Sequence, residues 1–259
     1  MKGFGLDEVG ANKLKSLWLR GSFPRSFLAR NEEQSFQWRE NFISTYLERD
    51  LPQLGIAIPA QTLRRFWIML SHYHGQIINY SELAGSFGVS DKTARSYIEI
   101  LESTFMVHSL LPWHENLGKR LVKSPKLYLS DSGIFNTLQN ITSFKELTSQ
   151  PKLGAAWEGF AMDTFIRLSG IERKNFYFWA THSGAELDLF WKIGGQNYGA
   201  EFKYSDAPTM TKSLYSAIEN LNLKKVWVIY PGKQTYRLKQ NIIVTPLSGL
   251  KHPKGTALL

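Results

Sequence analysis

The sequence predicts an α+β protein: a helical linker over residues 1–60, a winged helix-turn-helix over 61–131, and an α/β domain of order αβββαβ over 132–259. Three observations predict it. Apolar residues recur at helical spacing through the first hundred positions, two strand-like runs follow the third helix of the middle part, and helical and strand-like segments alternate from residue 153 onward.

In the linker, "EQSFQWRENFISTYLERDL" places Phe36, Phe42, Ile43, Tyr46 and Leu47 at helical spacing, so this part holds a helix or two and no sheet. Pro52 and Pro59 bracket a short connection, which puts the next boundary near residue 60. From Thr62 a helix carries Leu63, Phe66, Trp67 and Leu70 on one side and stops before Gly75. Two further helices begin at a Ser81 cap and a Ser90 cap, with "FGVS" as the turn and Gly88 free to take a left-handed backbone. That is helix-turn-helix spacing. "FMVHSLLPW" and "KLYLSD" then read as two strands joined by a basic loop, and Ser132 to Gln150 as a polar connecting region.

In the last part, "GAAWEGFAMDTFIRLSG" is helical and "NFYFWA" is a strand. "ELDLFWK" and "QNYGAEFKY" form a hairpin about Gly194 and Gly195, "KSLYSAIENLNL" is helical, and "KVWVIYP" is a buried strand. No internal repeat and no low-complexity stretch occurs.

Composition bounds the function. The 259 residues, 43% hydrophobic and 14% aromatic, can build sizeable cores. With no cysteine, disulfides, thiolate metal sites and Cys/His dyads are excluded. No Gly-x-Ser-x-Gly elbow and no G-x-x-x-x-G-K-[ST] loop occurs, so neither a serine nucleophile nor ATP hydrolysis of the P-loop kind has support in this chain. Neither a signal-type leader nor a membrane-length apolar run is present, so a soluble cytoplasmic protein is expected. The net charge of +9 points to an anionic partner, and residues 151–259, with 14 basic and 8 acidic groups, hold most of it.

The hairpin carries the chemistry. Residues two apart in a strand share a face, so Glu186 goes with Asp188 and Glu201 with Lys203, and strand pairing can bring the carboxylates of both strands to one spot. Such a cluster repels itself unless a cation fills it. A hard divalent ion, Mg²⁺ or Mn²⁺, held at Asp188 and Glu201 is one filler, with Lys203 orienting a water for phosphodiester hydrolysis. The same spacing also suits ordinary cross-strand ion pairs on a solvated sheet face.

The motifs "KSPKLYLSDSGIFNTL", "LGAAWEGFAMDTFI", "GAELDLFW" and "YGAEFKYS" resemble the C-terminal domain of unknown function DUF4143 attached to prokaryotic AAA+ ATPases. The element order with Asp and Glu-x-Lys resembles the PD-(D/E)XK restriction-endonuclease-like superfamily. "RGSFPRSF" and "YLERDL" are similar to the middle of those ATPases, which makes residues 1–60 similar to a lid-like region. The resemblance implies Asp188 and Glu201 as metal ligands, Lys203 as the catalytic lysine and Glu158 as a further catalytic and metal-binding carboxylate. Leu187 stands where the superfamily pattern has proline. Without a P-loop the chain resembles the part of such a protein downstream of its ATPase core, with a P-loop ATPase domain as the implied partner in cis or in trans.

The helix-turn-helix points to DNA. Lys92, Thr93, Arg95 and Ser96 are expected at the major groove, and Lys119, Arg120, Lys123 and Lys126 on a wing against phosphate. Glu99 and Glu102 on the same helix oppose that placement, and a purely protein-binding winged helix is the alternative. The expected function is a DNA-acting, nuclease-like protein; the other readings are a non-catalytic DNA- or partner-binding module that positions an ATPase, and an interaction scaffold. His72 and His74 are expected as surface or capping residues, and Phe176, Phe178 and Trp179 as core.

Overall fold

The computed structural model describes residues 11–114 and 122–250. It is a mixed α+β protein whose chain forms two compact units, one of Asn12–Ser109 with Leu127–Ala156, the other of Leu110–Lys126 with the residues from Trp157 on. The expected linker and helix-turn-helix therefore share one unit. They also share a core, in which Ile43 and Leu47 lie with Phe66, Trp67, Ile98 and Leu101.

In the first unit α1 (Ala11–Arg20), α2 (Pro24–Phe27), α3 (Glu32–Thr45) and α4 (Leu51–Gln53) precede α5 (Ala60–Ser71), β1 (Gln76–Ile77), α6 (Tyr80–Phe87) and α7 (Asp91–Ser103). Strands β2 (Val107–Leu110) and β3 (Lys126–Leu129) follow, with sheet order β1-β3-β2. Phe66 and Trp67 are fully buried, and each such side chain contributes roughly 1.5–3 kcal/mol through the apolar area it removes from water. Gly88 (φ 77°) takes the left-handed backbone that ends α6, Gly75 (φ 75°) takes it in the turn after α5, whose C-cap is His72 in helical backbone, and Ser90 caps α7 by accepting from the Thr93 N–H at 3.1 Å.

Three expectations change here. The cap of α6 is Asn79, which accepts from the Glu82 N–H, while the Ser81 hydroxyl donates to Asp91 at 2.7 Å; the cap lies two residues earlier than expected because Asn79 holds the extended backbone a cap needs. The segment after residue 131 is not a bare connection but α8 (Ser132–Leu138) and α9 (Phe144–Thr148), each capped by the residue before it, Asp131 and Ser143. Its weak periodicity has a cause: α8 is buried on nearly every side. His74 is buried, not superficial; its Nδ1 accepts from the Leu129 N–H at 3.1 Å beside Phe135, and burial holds its pKa down to about 4. His72 keeps its expected capping place through its carbonyl, which accepts from Gln76 and Lys152.

The motif "RGSFPRSF" turns out to be a buried polar lock. Arg39, 1% exposed, donates to Thr137 (2.6 Å), Ser35 (2.7 Å) and Ser26 (3.1 Å), while Asp131 accepts from the Ser22 N–H (2.6 Å) and hydroxyl (2.9 Å). A Cβ at Gly21 would collide with the Asp131 carboxylate and one at Gly133 with the Arg20 carbonyl. Glycine at both positions lets α1 and α8 approach this closely.

The second unit holds α10 (Leu153–Ser169), whose last residues from Trp157 belong to it, strands β4 (Phe176–Ala180), β5 (Glu186–Ile193) and β6 (Gln196–Phe202), α11 (Lys212–Leu221), β7 (Leu223–Tyr230), β8 (Tyr236–Lys239) and β9 (Ile242–Pro246). The expected order αβββαβ is present, and β8 and β9 extend it. The sheet runs β4-β5-β6-β7-β9-β8; β4, β5 and β6 pair antiparallel, β6–β7 and β7–β9 parallel. Gly194 and Gly195 both take positive φ at the hairpin turn, as a two-residue loop matching the strand twist requires. Leu214, Ala217 and Leu221 of α11 pack against Leu187, Val226 and Val244, which seats the crossover helix on the sheet. Phe176, Phe178 and Trp179 are core residues, as expected.

Candidate functional site

The acidic residues converge because the β5–β6 ladder stops at the right place. Its last pair is Leu189 with Ala200; one step on, the Asp188 carboxylate itself accepts the Phe202 N–H at 2.9 Å. On the other side of β5 the register shifts between Tyr177–Phe190 and Trp179–Leu187, so Asp188 and Leu189 stand opposite the single residue Phe178. A bulge of this kind bends a strand and re-aims a side chain. The Glu186 N–H, at the start of β5, donates to the Ser213 hydroxyl at 3.1 Å.

Glu201 is buried, and its Oε1 lies 2.9 Å from the Lys203 ammonium while its Oε2 has no hydrogen-bond partner. Burial, and after it the charge of Asp188, pushes the Glu201 carboxyl far above the usual carboxylate range. The same two causes in the same order push Glu158 of α10 up to about 7. Burial works against the charge of Lys203, yet Glu201 and Asp188 outweigh it and hold the ammonium above its ordinary pKa. Glu158 senses Asp188, Lys203, Lys126 and Glu186 electrostatically, so all four expected residues, Glu158, Asp188, Glu201 and Lys203, belong to one charged neighbourhood.

One member was not foreseen. Lys126, expected on a wing against phosphate, has a side chain 5% exposed and forms an ion pair with Glu186, with Asp188 3.7 Å away and the Phe178 ring beneath it at 5.4 Å. It does not face solvent phosphate. The chain on its N-terminal side packs on β4: the Phe178 N–H donates to the Leu111 carbonyl at 3.0 Å, the Trp113 N–H to the Phe178 carbonyl at 2.6 Å, and the Val122 N–H to the Ala180 carbonyl at 3.3 Å. Sixty residues separate Lys126 from Glu186, and the sole sequence signal was a lysine opening an otherwise apolar run.

The remaining expected contacts lie elsewhere. Lys92, Arg95 and Ser96 are exposed on α7, Thr93 is half-buried and bonded to the Ser90 cap, and Arg95 stacks on the Tyr80 ring at 3.6 Å. Lys123 is exposed; Lys119 and Arg120 lie outside the described residues.

Comparison with known proteins gives the family. The model of a domain of unknown function, DUF8612, matches residues 11–145, more than half of the chain. The chain belongs to the DUF8612 family. Behind this part the DUF8612 protein carries a second domain of unknown function, DUF4143, matched at residues 153–250, which contains the hairpin and α10. Uncharacterized proteins of Mycobacterium tuberculosis and Mycobacterium bovis are each 42% identical over 246 residues, 95% of this chain and 55% of the relative. The chain thus spans about half the length of the curated relatives it matches. No solved structure matches it. Among the described residues no helix is long and apolar enough to cross a membrane.

The donor set fits a hard cation of restricted kind. Among the described residues no three His, Asp or Glu side chains gather into a metal-holding group. Two carboxylates, Asp188 and Glu201, the second with its Oε2 buried and without a hydrogen-bond partner, suit an ion such as Mg²⁺, which takes one or two protein carboxylates and keeps its waters.

Proposed function

We propose that the DUF4143 part of this chain is a PD-(D/E)XK-like, metal-assisted phosphodiesterase acting on DNA. One observation carries the reading: Glu201 Oε2 is buried without a partner inside a neighbourhood of four carboxylates that lysines only partly neutralise. A buried carboxylate oxygen in that position is costly unless a cation completes it. Asp188 and Glu201 would hold a Mg²⁺ or Mn²⁺ ion, and the bound ion would polarise a phosphoryl oxygen and lower the pKa of a water; Glu158, expected as a third ligand, shares the charged neighbourhood but does not gather with them into a three-carboxylate group. Lys203, fixed by Glu201, orients the attacking water or the phosphate. The Phe202 N–H fixes the Asp188 carboxylate. Exposed Lys92, Arg95 and Ser96 on α7 supply major-groove contacts to DNA and exposed Lys123 a phosphate contact, and a P-loop ATPase domain is the partner that the resemblance implies.

Lys126 favours a second reading. Its ammonium already neutralises Glu186 and approaches Asp188, which is what a non-catalytic DNA- or protein-binding module built on the same fold would need for stability.

The two are separated by titrating Mg²⁺ and Mn²⁺ calorimetrically into wild type and Asp188→Asn, then incubating both with labelled linear and branched DNA. Metal-dependent cleavage that disappears in the variant, with unchanged circular dichroism, supports the phosphodiesterase. DNA affinity that falls steeply with salt, without metal binding or cleavage, overturns it in favour of the binding module.

A further inference from the structure

The four carboxylates of the hairpin region draw on two lysines that are not equivalent. Lys203 is about a third exposed and leans on Glu201, two positions away on the same strand. Lys126 comes from a distant segment, is nearly sealed from solvent, and is engaged by Glu186, by Asp188 at 3.7 Å and by the Phe178 ring. The bulge sets Asp188 and Leu189 opposite Phe178, the residue whose ring lies against this ammonium. A side chain held on three sides in this way is a fixed charge, not a mobile phosphate ligand.

We infer that Lys126 is a positioning residue that acts as a resident counter-cation of the site: its ammonium competes with a divalent ion for Asp188 and so sets how tightly the site loads. The inference rests on the metal reading of Asp188 and Glu201 given above. Its physical basis is like-charge repulsion. An ion at Asp188 and an ammonium a few ångströms away, in a region of reduced dielectric, oppose each other far more than they would in water. Loading therefore requires Lys126 to withdraw toward Glu186, whose carboxylate is the more exposed of its two partners and can follow it.

The test is a Mn²⁺ titration, followed by the electron paramagnetic resonance signal of free Mn²⁺, on wild type, Lys126→Met, Lys126→Arg and Asp188→Asn. Methionine keeps the length of the side chain and loses the charge; arginine keeps the charge. Removing a fixed unit charge at this range should tighten Mn²⁺ binding about ten-fold or more in Lys126→Met, leave Lys126→Arg near wild type, and leave Asp188→Asn without the site. A purely structural lysine predicts weaker binding in both Lys126 variants. Mn²⁺ binding in wild type that is equal or weaker in a folded Lys126→Met overturns the inference and leaves the metal reading standing. No binding in any of the proteins, Lys126→Met included, overturns both. Should Lys126→Met fail to fold, amine acetylation of wild type read by mass spectrometry decides: Mn²⁺ should raise modification of Lys126, and an unchanged or lowered rate overturns the inference.

Discussion

The two units treat buried charge in opposite ways. In the first, Arg39 is almost wholly enclosed, and its guanidinium is met by the neutral hydroxyls of Thr137, Ser35 and Ser26, each at hydrogen-bonding distance. In the second, carboxylates crowd one another, Glu158 and Glu201 are pushed upward, and one Glu201 oxygen is left bare. The contrast separates a lock from a site. Neutral acceptors satisfy a charge without repelling one another and give rigidity, whereas like charges gathered in a buried place lower stability and raise affinity for whatever cation relieves them.

Breaking the lock should have the largest effect. Arg39→Met removes the charge-assisted hydrogen bonds to Thr137, Ser35 and Ser26 from a buried place, leaving those hydroxyls only their other partners, and is expected to cost about 3 kcal/mol in urea denaturation. Glu201→Gln, although it also alters a buried group, removes a charge that the fold disfavours, and is expected to cost under about 1 kcal/mol or to stabilise. If Glu201→Gln proves as damaging as Arg39→Met, the second unit holds a lock as well and the contrast fails.

The pH dependence sharpens the same comparison. Glu158 and Glu201 have folded pKa values above the ordinary carboxylate value, so the folded state binds more protons than the unfolded chain between about pH 4.5 and the folded values. Their contribution to stability is fully present below that window and is lost as pH rises through about 7. Arg39, held down to about 10 by burial, stays charged throughout this window and adds no slope. Thermal unfolding from pH 5 to 8 should therefore show a decline of about 1–2 kcal/mol in wild type that is much flattened in the Glu158→Gln, Glu201→Gln double variant. An equal slope in both proteins would place the titrating groups elsewhere.

The smallest expected effect belongs to neither cluster and calibrates both. Ser90→Ala removes the cap of α7 and should cost about 1 kcal/mol, independent of pH, by the same denaturation measurement.

The legible part of the fold is local. The helical spacing of Leu63, Phe66, Trp67 and Leu70, the glycines at 88, 194 and 195, and the alternation around Asp188 and Glu201 each report on neighbours a few residues away, so α5, the turn into α7 and the β5–β6 hairpin were legible. The proximity of Asp188, Glu201 and Lys203 was legible as well, because strand pairing follows from a two-residue turn. The helices after Asp131 were not legible, since a helix buried nearly all round shows no amphipathic period. Nor was the burial of His74 on the Leu129 amide. The entry of Lys126 into the carboxylate cluster, instead of a solvent-facing place on the wing, came from long-range packing. Lys126 and Glu186 meet across sixty residues of chain, and a contact between segments that far apart leaves no periodic mark on either one.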